Sequence, residues 1–414
     1  MRIMPRAIVK GVTAASVCLV VALSSPAKAD VITDWNQTAI AAMKAANVGG
    51  NPWSRNMAMV HVAMSDAVNS VQNKYAIYAA GGAPAPSASA EAAAAAAART
   101  VLLQQVPAQK VLIEQAFEAS TRDIPDGAAK KDGIAIGEKC GAAIFADRAS
   151  DGTSVPDTYR PLTSPGVWIP TTPPLSAEYA RATPWVMKSA DQVRPTPPPD
   201  LKSEAYARDY NETKEMGGAK STKRTAEQVA AVKFWTQLNF GPAWQEVARQ
   251  LSAAKNLSLA ENARLFALLN MGTANTFITD WDAKFTYNFW RPVTAIRNGD
   301  QDGNDATERD AAWTPLNATP MHPEYPSQAA IIAGVSMGVF EAVFGANPST
   351  PVVASDLIDP KVQRRFGNVK EMADEVQSVR IWGGIHFRNS LEVGYQMGRK
   401  IAVFLVENSI KPMN

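Results

Sequence analysis

Cysteine is nearly absent from this 414-residue sequence, with only Cys18 and Cys140 present. A fold stapled by disulfides is thereby excluded, and the chain must stand on its apolar core. Charge of either sign is not in excess: the formal net charge is +2. Nothing therefore points to a nucleic-acid partner. Residues of alternating β-branched character do not recur at strand spacing, which argues against a sheet protein. There is no GxGxxG, no phosphate-binding Walker loop and no CxxC pair, so dinucleotide, nucleotide and zinc-ribbon readings lose their usual carriers. What remains is a chain 46% hydrophobic and 19% charged, long enough for one large globular domain.

The N-terminus reads as an export signal. Arg2, Arg6 and Lys10 precede an apolar run from Val12 to Leu23, too short to span a bilayer comfortably. Ala27-Lys28-Ala29 fits a small-x-small cleavage site, so Asp30 would begin the mature protein. Cleavage removes four bases and no acid, taking the formal charge to −2. It also removes Cys18, leaving Cys140 alone on an apolar helix face, where an inert buried thiol is expected. A secreted or periplasmic protein follows, with no stable membrane anchor after cleavage.

Helical patterning runs through most of the rest. Helices are expected over Ala39 to Ala46, Met57 to Val71 with Ser54 as cap, Ala88 to Leu103, 107–122 and 128–148. They resume over Ser203 to Met216, Thr225 to Leu238, Trp244 to Leu251 and Ser258 to Phe289. His61 sits between Val60 and Val62 and reads as a packing histidine. Residues 152–201 differ, because eleven prolines crowd there and exclude long helices and central strands. Trp168 and Trp185 make this segment an extended strap packed on a helical body. Asp300-Gln-Asp302-Gly-Asn304-Asp305 lacks the glycine and glutamate positions of a calcium loop and reads as a solvated turn. The architecture is all-α, built of packed helical bundles in one domain over residues 30–414, with 258–414 the motif-bearing half.

That half holds three short stretches with the chemistry of an oxyanion site. Lys284-Phe-Thr-Tyr-Asn-Phe-Trp-Arg291-Pro292 carries two bases seven residues apart. On one helix they would face the same way, about two turns apart, amid aromatic neighbours. Tyr325-Pro326-Ser327-Gln328-Ala329 precedes an apolar helix ending near Phe344. Ser327 would stand at its start, where free N–H groups and the helix dipole favour an anion. An ordinary serine cap is the plainer alternative. Arg380-Ile-Trp-Gly-Gly-Ile-His386 offers a guanidinium for oxyanion recognition and an imidazole able to act as nucleophile or ligand. A turn at Gly383-Gly384 would bring both inward.

The combined pattern K-x6-R-P, P-S-x-x, R-x5-H resembles the vanadium-dependent haloperoxidase and type 2 phosphatidic-acid-phosphatase superfamily. Asp34-Trp-Asn36, the stretch from His61 to Asn69, the proline strap and Asp302-Gly-Asn304 are similar to its secreted bacterial haloperoxidase-like branch. The resemblance implies a core of two four-helix bundles and a vanadate or phosphate pocket between helices. Carried over by position, Lys284, Arg291 and Arg380 would neutralise the oxyanion. Ser327 and the backbone N–H of Gln328 would hydrogen-bond it, and His386 would ligate vanadium or attack phosphorus. Lys284 and His386 are the implied catalytic residues. Hydrogen peroxide, a halide and a small organic acceptor are the implied partners.

Two positions depart from the family. Ala329 stands where the second motif usually ends in an acid–base histidine. Ser390 stands where the family phosphatases place an aspartate four residues after the last histidine. His322 or Glu324 are candidate substitutes. A haloperoxidase-like enzyme, an exported acid phosphatase using His386, and a non-catalytic phosphate- or vanadate-binding relative are the three readings that follow.

Overall fold

A computed structural model describes residues 30–79, 84–156, 158–170, 173–174, 176–236, 240–346 and 348–413. The export segment and Gly81-Gly82 lie outside these. The described residues are all-α apart from one small hairpin. The first five helices are α1 (Val31–Ala45), α2 (Gly50–Gln72), α3 (Ala90–Gln105), α4 (Lys110–Thr121) and α5 (Ala128–Asp147). After the strap come α6 (Glu204–Gly217), α7 (Ala226–Thr236), α8 (Phe240–Lys255) and α9 (Leu259–Tyr287). The last are α10 (Pro292–Arg297), α11 (Gln328–Phe344), α12 (Val369–Trp382) and α13 (Arg388–Asn408).

Local chemistry sets several of these boundaries. The Asp30 carboxylate accepts the Ile32 and Thr33 N–H groups while Thr33 Oγ1 accepts the Asp30 N–H. This capping box starts α1 well before the Ala39 expected from patterning. Ser54 is not a cap: α2 begins at Gly50, and the Ser54 hydroxyl donates to the Asn51 carbonyl inside the first turn. The alanine-dense α3 forms by packing as well as propensity. Gly137 of α5 lies so close that a Cβ there would sit 2.2 Å from the Ala93 carbonyl oxygen.

Two helix groups share α9. On one side α2 packs on α9, α3 and α5; on the other α11 packs on α13, α9 and α12. The α11–α13 seam is close because Gly398 brings its backbone against the Ile331 carbonyl, where a Cβ would not fit. No helix among the described residues is long and apolar enough to cross a membrane.

The all-α expectation holds, with one small local addition. Strands β1 (Val352–Ser355) and β2 (Gln363–Phe366) pair antiparallel, Val352 opposite Phe366. Each is four residues long, too short to leave an alternating pattern. Gln250 of α8 stitches the hairpin down by hydrogen bonds to both the N–H and the carbonyl of Val353.

The strap packs as its tryptophans required. Among its described residues it holds two short 3-10 turns, Ala177–Arg181 and Ala190–Val193. Trp185 is fully buried, its backbone N–H and carbonyl both held by the Asn275 side chain of α9. The Arg148 guanidinium lies 4.3 Å from the Trp185 ring centroid. Cys140 is buried, and desolvation pushes its thiol up to about 12. His61 is a packing histidine: its Nε2 meets the Asn36 amide at 2.9 Å and its ring stacks on Phe266. Burial lowers it to about 3, so it is held neutral. The Asp300–Asp305 turn differs from its expectation, because Asp302 is buried and accepts from Thr307 Oγ1 and the Asn304 N–H.

Candidate functional site

The three motif stretches meet at the inner end of the second helix group. Their meeting does not follow the helical spacing expected for the first. Asn288 adopts a left-handed conformation, φ 49°, and ends α9 at Tyr287. Phe289 and Trp290 then run extended along the strap, with Trp168 N–H donating to Asn288 and Trp290 N–H to Gly166. Arg291 follows as the cap of α10, whose first residue is Pro292. Lys284 is thus on a helix and Arg291 is not. The chain reversal, not a shared helical face, brings them together.

Lys284 is wholly buried. Its ammonium donates to the Glu324 carbonyl at 3.0 Å and to the Pro326 carbonyl, and it lies 3.5 Å from Asp280 one turn back. Arg291 is equally buried and donates through Nε to the His322 carbonyl and through Nη1 to the Ile385 carbonyl. Its Nη1 also meets His386 Nε2 at 3.1 Å, and its Nη2 meets His322 Nδ1 at 3.1 Å. Arg380 comes from the last turn of α12 and is half-buried. It lies near enough for its charge to act on both His322 and His386.

The turn after α12 delivers His386. Gly384 takes φ 73° against the Gly217 backbone, a place with no room for a Cβ. His386 then points inward two residues before α13. Its Nδ1 bonds Glu324 Oε1 at 2.8 Å, and the same oxygen accepts the Phe387 N–H. Glu324 Oε2 accepts the Ser390 hydroxyl. The carboxylate that the family phosphatases place four residues after this histidine is therefore supplied by Glu324, just before the second motif stretch and 62 residues earlier than His386 in sequence. Ser390 fills the vacated position by bonding that carboxylate.

Ser327 caps α11 by position but not by side chain. Its N–H donates to the Ser390 carbonyl, yet its hydroxyl is buried with no hydrogen-bond partner among the described residues. The Gln328 Nε2 is in the same condition. Each carries the desolvation cost of an unmet polar group. The ordinary serine cap is thereby corrected.

Removal from water dominates the electrostatics. Burial, followed by repulsion from Arg291 and against attraction from Asp280, lowers Lys284 to about 8. Burial likewise lowers Arg291 and Arg380, which repel each other. Asp280 is raised to about 7 by burial, opposed by Lys284. Glu324 is raised by burial, opposed by Arg291 and by its hydrogen-bond donors. His386 and His322 are held far below the usual imidazole range by burial, then Arg291, then Lys284. Both rings are neutral. The carboxylate fixes the His386 proton on Nδ1 and leaves the Nε2 lone pair facing the cations.

Lys284, Arg291, Ser327, Gln328, Arg380 and His386 all belong to this cluster. Ala329 is buried nearby as the residue after Gln328. Sequence reasoning missed Asp280, whose signal was an acid four residues before a lysine, and read Trp281 only as an apolar neighbour of Lys284, whereas its ring lies 4.9 Å from that of His322. It named Glu324 but not as the partner of His386.

Residues 264–414 match the family model described as the second helical-bundle domain of VCPO. A curated relative, vanadium chloroperoxidase from Curvularia inaequalis, is 24% identical over 259 residues, 46% of this chain and 42% of that protein. Residues 264–414 thus carry the second helical-bundle domain of the vanadium haloperoxidases. It spans less than half the length of that curated haloperoxidase. Among solved structures, a bacterial vanadium-dependent iodoperoxidase superposes with a TM-score of 0.76 at 22% identity, covering 93% of this chain and 97% of that one. A holo-type bacterial vanadium-dependent chloroperoxidase gives 0.69 at 16% identity, covering 93% of each chain. These likenesses establish the haloperoxidase helical-bundle fold across nearly the whole chain. The family-matched segment contains every residue of the buried cluster.

Proposed function

We propose that this chain is an exported vanadate-dependent haloperoxidase-like enzyme that oxidises halide with hydrogen peroxide. The observation that carries this reading is the convergence of Lys284, Arg291 and Arg380 on His386 beside an unpartnered buried Ser327 hydroxyl. The donor set fits a tetrahedral oxyanion. One imidazole among three cations repels a divalent metal ion but attracts vanadate or phosphate. Burial is the first cause of the lowered Lys284, Arg291 and Arg380, and a bound anion would offset the cost of holding these charges out of water.

In this reading His386 Nε2 would hold vanadium, and Lys284, Arg291 and Arg380 would hold its oxygens. The Ser327 hydroxyl and the Gln328 N–H would complete the cradle. Bound vanadate supplies Lewis acidity toward peroxide oxygen without changing oxidation state. The chain's own contribution is preorganisation. Glu324 keeps His386 in the Nδ1–H tautomer. Arg291 is clamped by two carbonyls and cannot swing away. Lys284 is fixed by the carbonyls of Glu324 and Pro326, its positive charge aimed where oxygen would carry negative charge. The aromatic packing of Phe387 on Phe289 and Tyr206 behind His386 keeps water off that side. Export to the secreted or periplasmic space remains part of the proposal, resting on residues 1–29.

The test is bromination or iodination of an organic acceptor that depends on both peroxide and added vanadate. Stoichiometrically bound vanadium with no turnover of any halide ends the reading. The Glu324–His386 dyad favours one second reading, an exported acid phosphatase with His386 as nucleophile. Ala329 weighs against it, because the leaving oxygen then lacks its usual proton donor. Phosphomonoester hydrolysis that is lost in His386→Ala, with no halogenation, selects it.

A further inference from the structure

Peroxide chemistry at an oxyanion needs a group that takes and returns a proton. Ala329 has no side chain to do so. The sequence holds three histidines. His61 lies in the first helix group, bonded to Asn36 and stacked on Phe266. His386 has its Nδ1 committed to Glu324 and its Nε2 turned to Arg291. His322 is the third, and it is inside the cluster.

Its ring is held on two sides. Trp281 packs against it at 4.9 Å between centroids, and Arg291 Nη2 meets its Nδ1 at 3.1 Å. A guanidinium only donates, so toward Arg291 the neutral ring accepts at Nδ1 and carries its hydrogen on Nε2; the same Nδ1 lies 3.3 Å from the Pro323 carbonyl, which can accept from it only once Nδ1 is protonated. The other terminal nitrogen of the same guanidinium, Nη1, meets His386 Nε2. Two nitrogens on one carbon thus address two imidazoles. An anion on that edge of Arg291 has His386 and His322 for neighbours.

We infer that His322 is the proton-exchanging imidazole of this site, in the role that Ala329 leaves vacant. The inference rests on the oxyanion-site reading of the preceding section. In the resting arrangement Arg291 occupies the His322 Nδ1 lone pair, and Arg291, Lys284 and Arg380 all disfavour a charged ring. The Pro323 carbonyl, 3.3 Å from Nδ1, favours it. An oxyanion that takes over the Nη2 hydrogen frees Nδ1 and offsets the three cations. The freed nitrogen then accepts a proton as an O–H bond of hydrogen peroxide breaks. It returns that proton to the oxygen that departs as water. Overall, halide, peroxide and one proton from solvent give hypohalous acid and water. The halide loses two electrons and the O–O bond takes them.

The experiment uses the full mature chain with ring-15N-labelled histidine, whose three sets of signals are assigned with His322→Ala and His386→Ala. Titration with inorganic phosphate, then with orthovanadate, should move His322 and His386 and leave His61 in place. The bound anion should also raise the pH at which His322 titrates. With vanadate loaded, His322→Ala should lower kcat by about 10²–10⁴-fold while the vanadate Kd changes less than about tenfold. Adding Ala329→His to His322→Ala should restore at least a tenth of parental kcat. His322 signals that ignore saturating phosphate overturn the inference. So does an unchanged kcat and pH profile in His322→Ala. A loss of anion affinity and folding stability without rescue marks a structural role and overturns it too, as does a parent chain that binds vanadate but turns nothing over. A parent chain that binds neither anion is a different result: it removes the oxyanion site itself, and this role with it.

Discussion

Replacing Ser327 by alanine separates a structural serine from one waiting for an anion, because the two predict opposite signs. If its hydroxyl capped α11, Ser327→Ala would cost about 0.5–2 kcal/mol of stability. Here the hydroxyl is buried without a partner, so its removal relieves a desolvation cost of about 1–3 kcal/mol, less the packing of one oxygen. The anion-free variant should be as stable as the parent or more so. Affinity should move the other way. A hydrogen bond from this hydroxyl to a charged oxyanion contributes about 1.5–3 kcal/mol, and a middle value of about 2 kcal/mol corresponds to a roughly thirtyfold weaker Kd. At an anion concentration about a hundred times the parent Kd, binding adds about 2.7 kcal/mol to the parent and only about 0.9 kcal/mol to the variant. Urea denaturation of both proteins, with and without phosphate or vanadate, measures all four quantities. A variant that is less stable without anion and equally stabilised by it would refute the reasoning.

Two further outcomes follow from the same cluster. Glu324→Gln removes the carboxylate that holds the His386 proton on Nδ1, and loss of such a partner typically costs about 10–100-fold in metal affinity or activity. Vanadate binding and turnover should both fall by that order, the His386 ring 15N shifts should report a mixed tautomer, and unchanged shifts would disprove the orienting role. Lys284 is lowered to about 8 by burial. Its folded value lies below its unfolded one, so below pH 8 the buried charge opposes folding. That penalty is lost as pH rises from about 8 toward the unfolded value. Anion affinity has the opposite trend and should decline above about pH 8 as the ammonium discharges. Calorimetry in two buffers of different ionisation enthalpy should then show proton uptake on phosphate binding at pH 9, and its absence there would mean that Lys284 does not face the anion.

Much of the architecture was legible in the residues themselves. The helical periodicity, the alanine-dense segment and the proline crowding of 152–201 are local properties, and local propensities largely decide where helices form and fail. The strap was readable as packed because Trp168 and Trp185 have too much apolar surface to leave in water. The motif residues were readable because three cations, a Pro-Ser turn and an imidazole are a rare combination. Boundaries were less so: Asp30 capping α1 and Asn288 ending α9 depend on single side-chain geometries that periodicity does not record.

The sequence by itself determined an all-helical body and the identity of the groups that gather in it. Only the tertiary structure decided their partnerships. Glu324 orients His386 across 62 residues of chain, and Arg291 reaches the cluster through a chain reversal after α9 and not along a helical face. The hydroxyl of Ser327 is left unmet at a helix start where a cap was the ordinary expectation. Hydrogen bonds of this kind depend on directions and distances between elements far apart in sequence. No local pattern encodes them, because the constraint lies in the packing of α9, α11, α12 and α13 around one buried point.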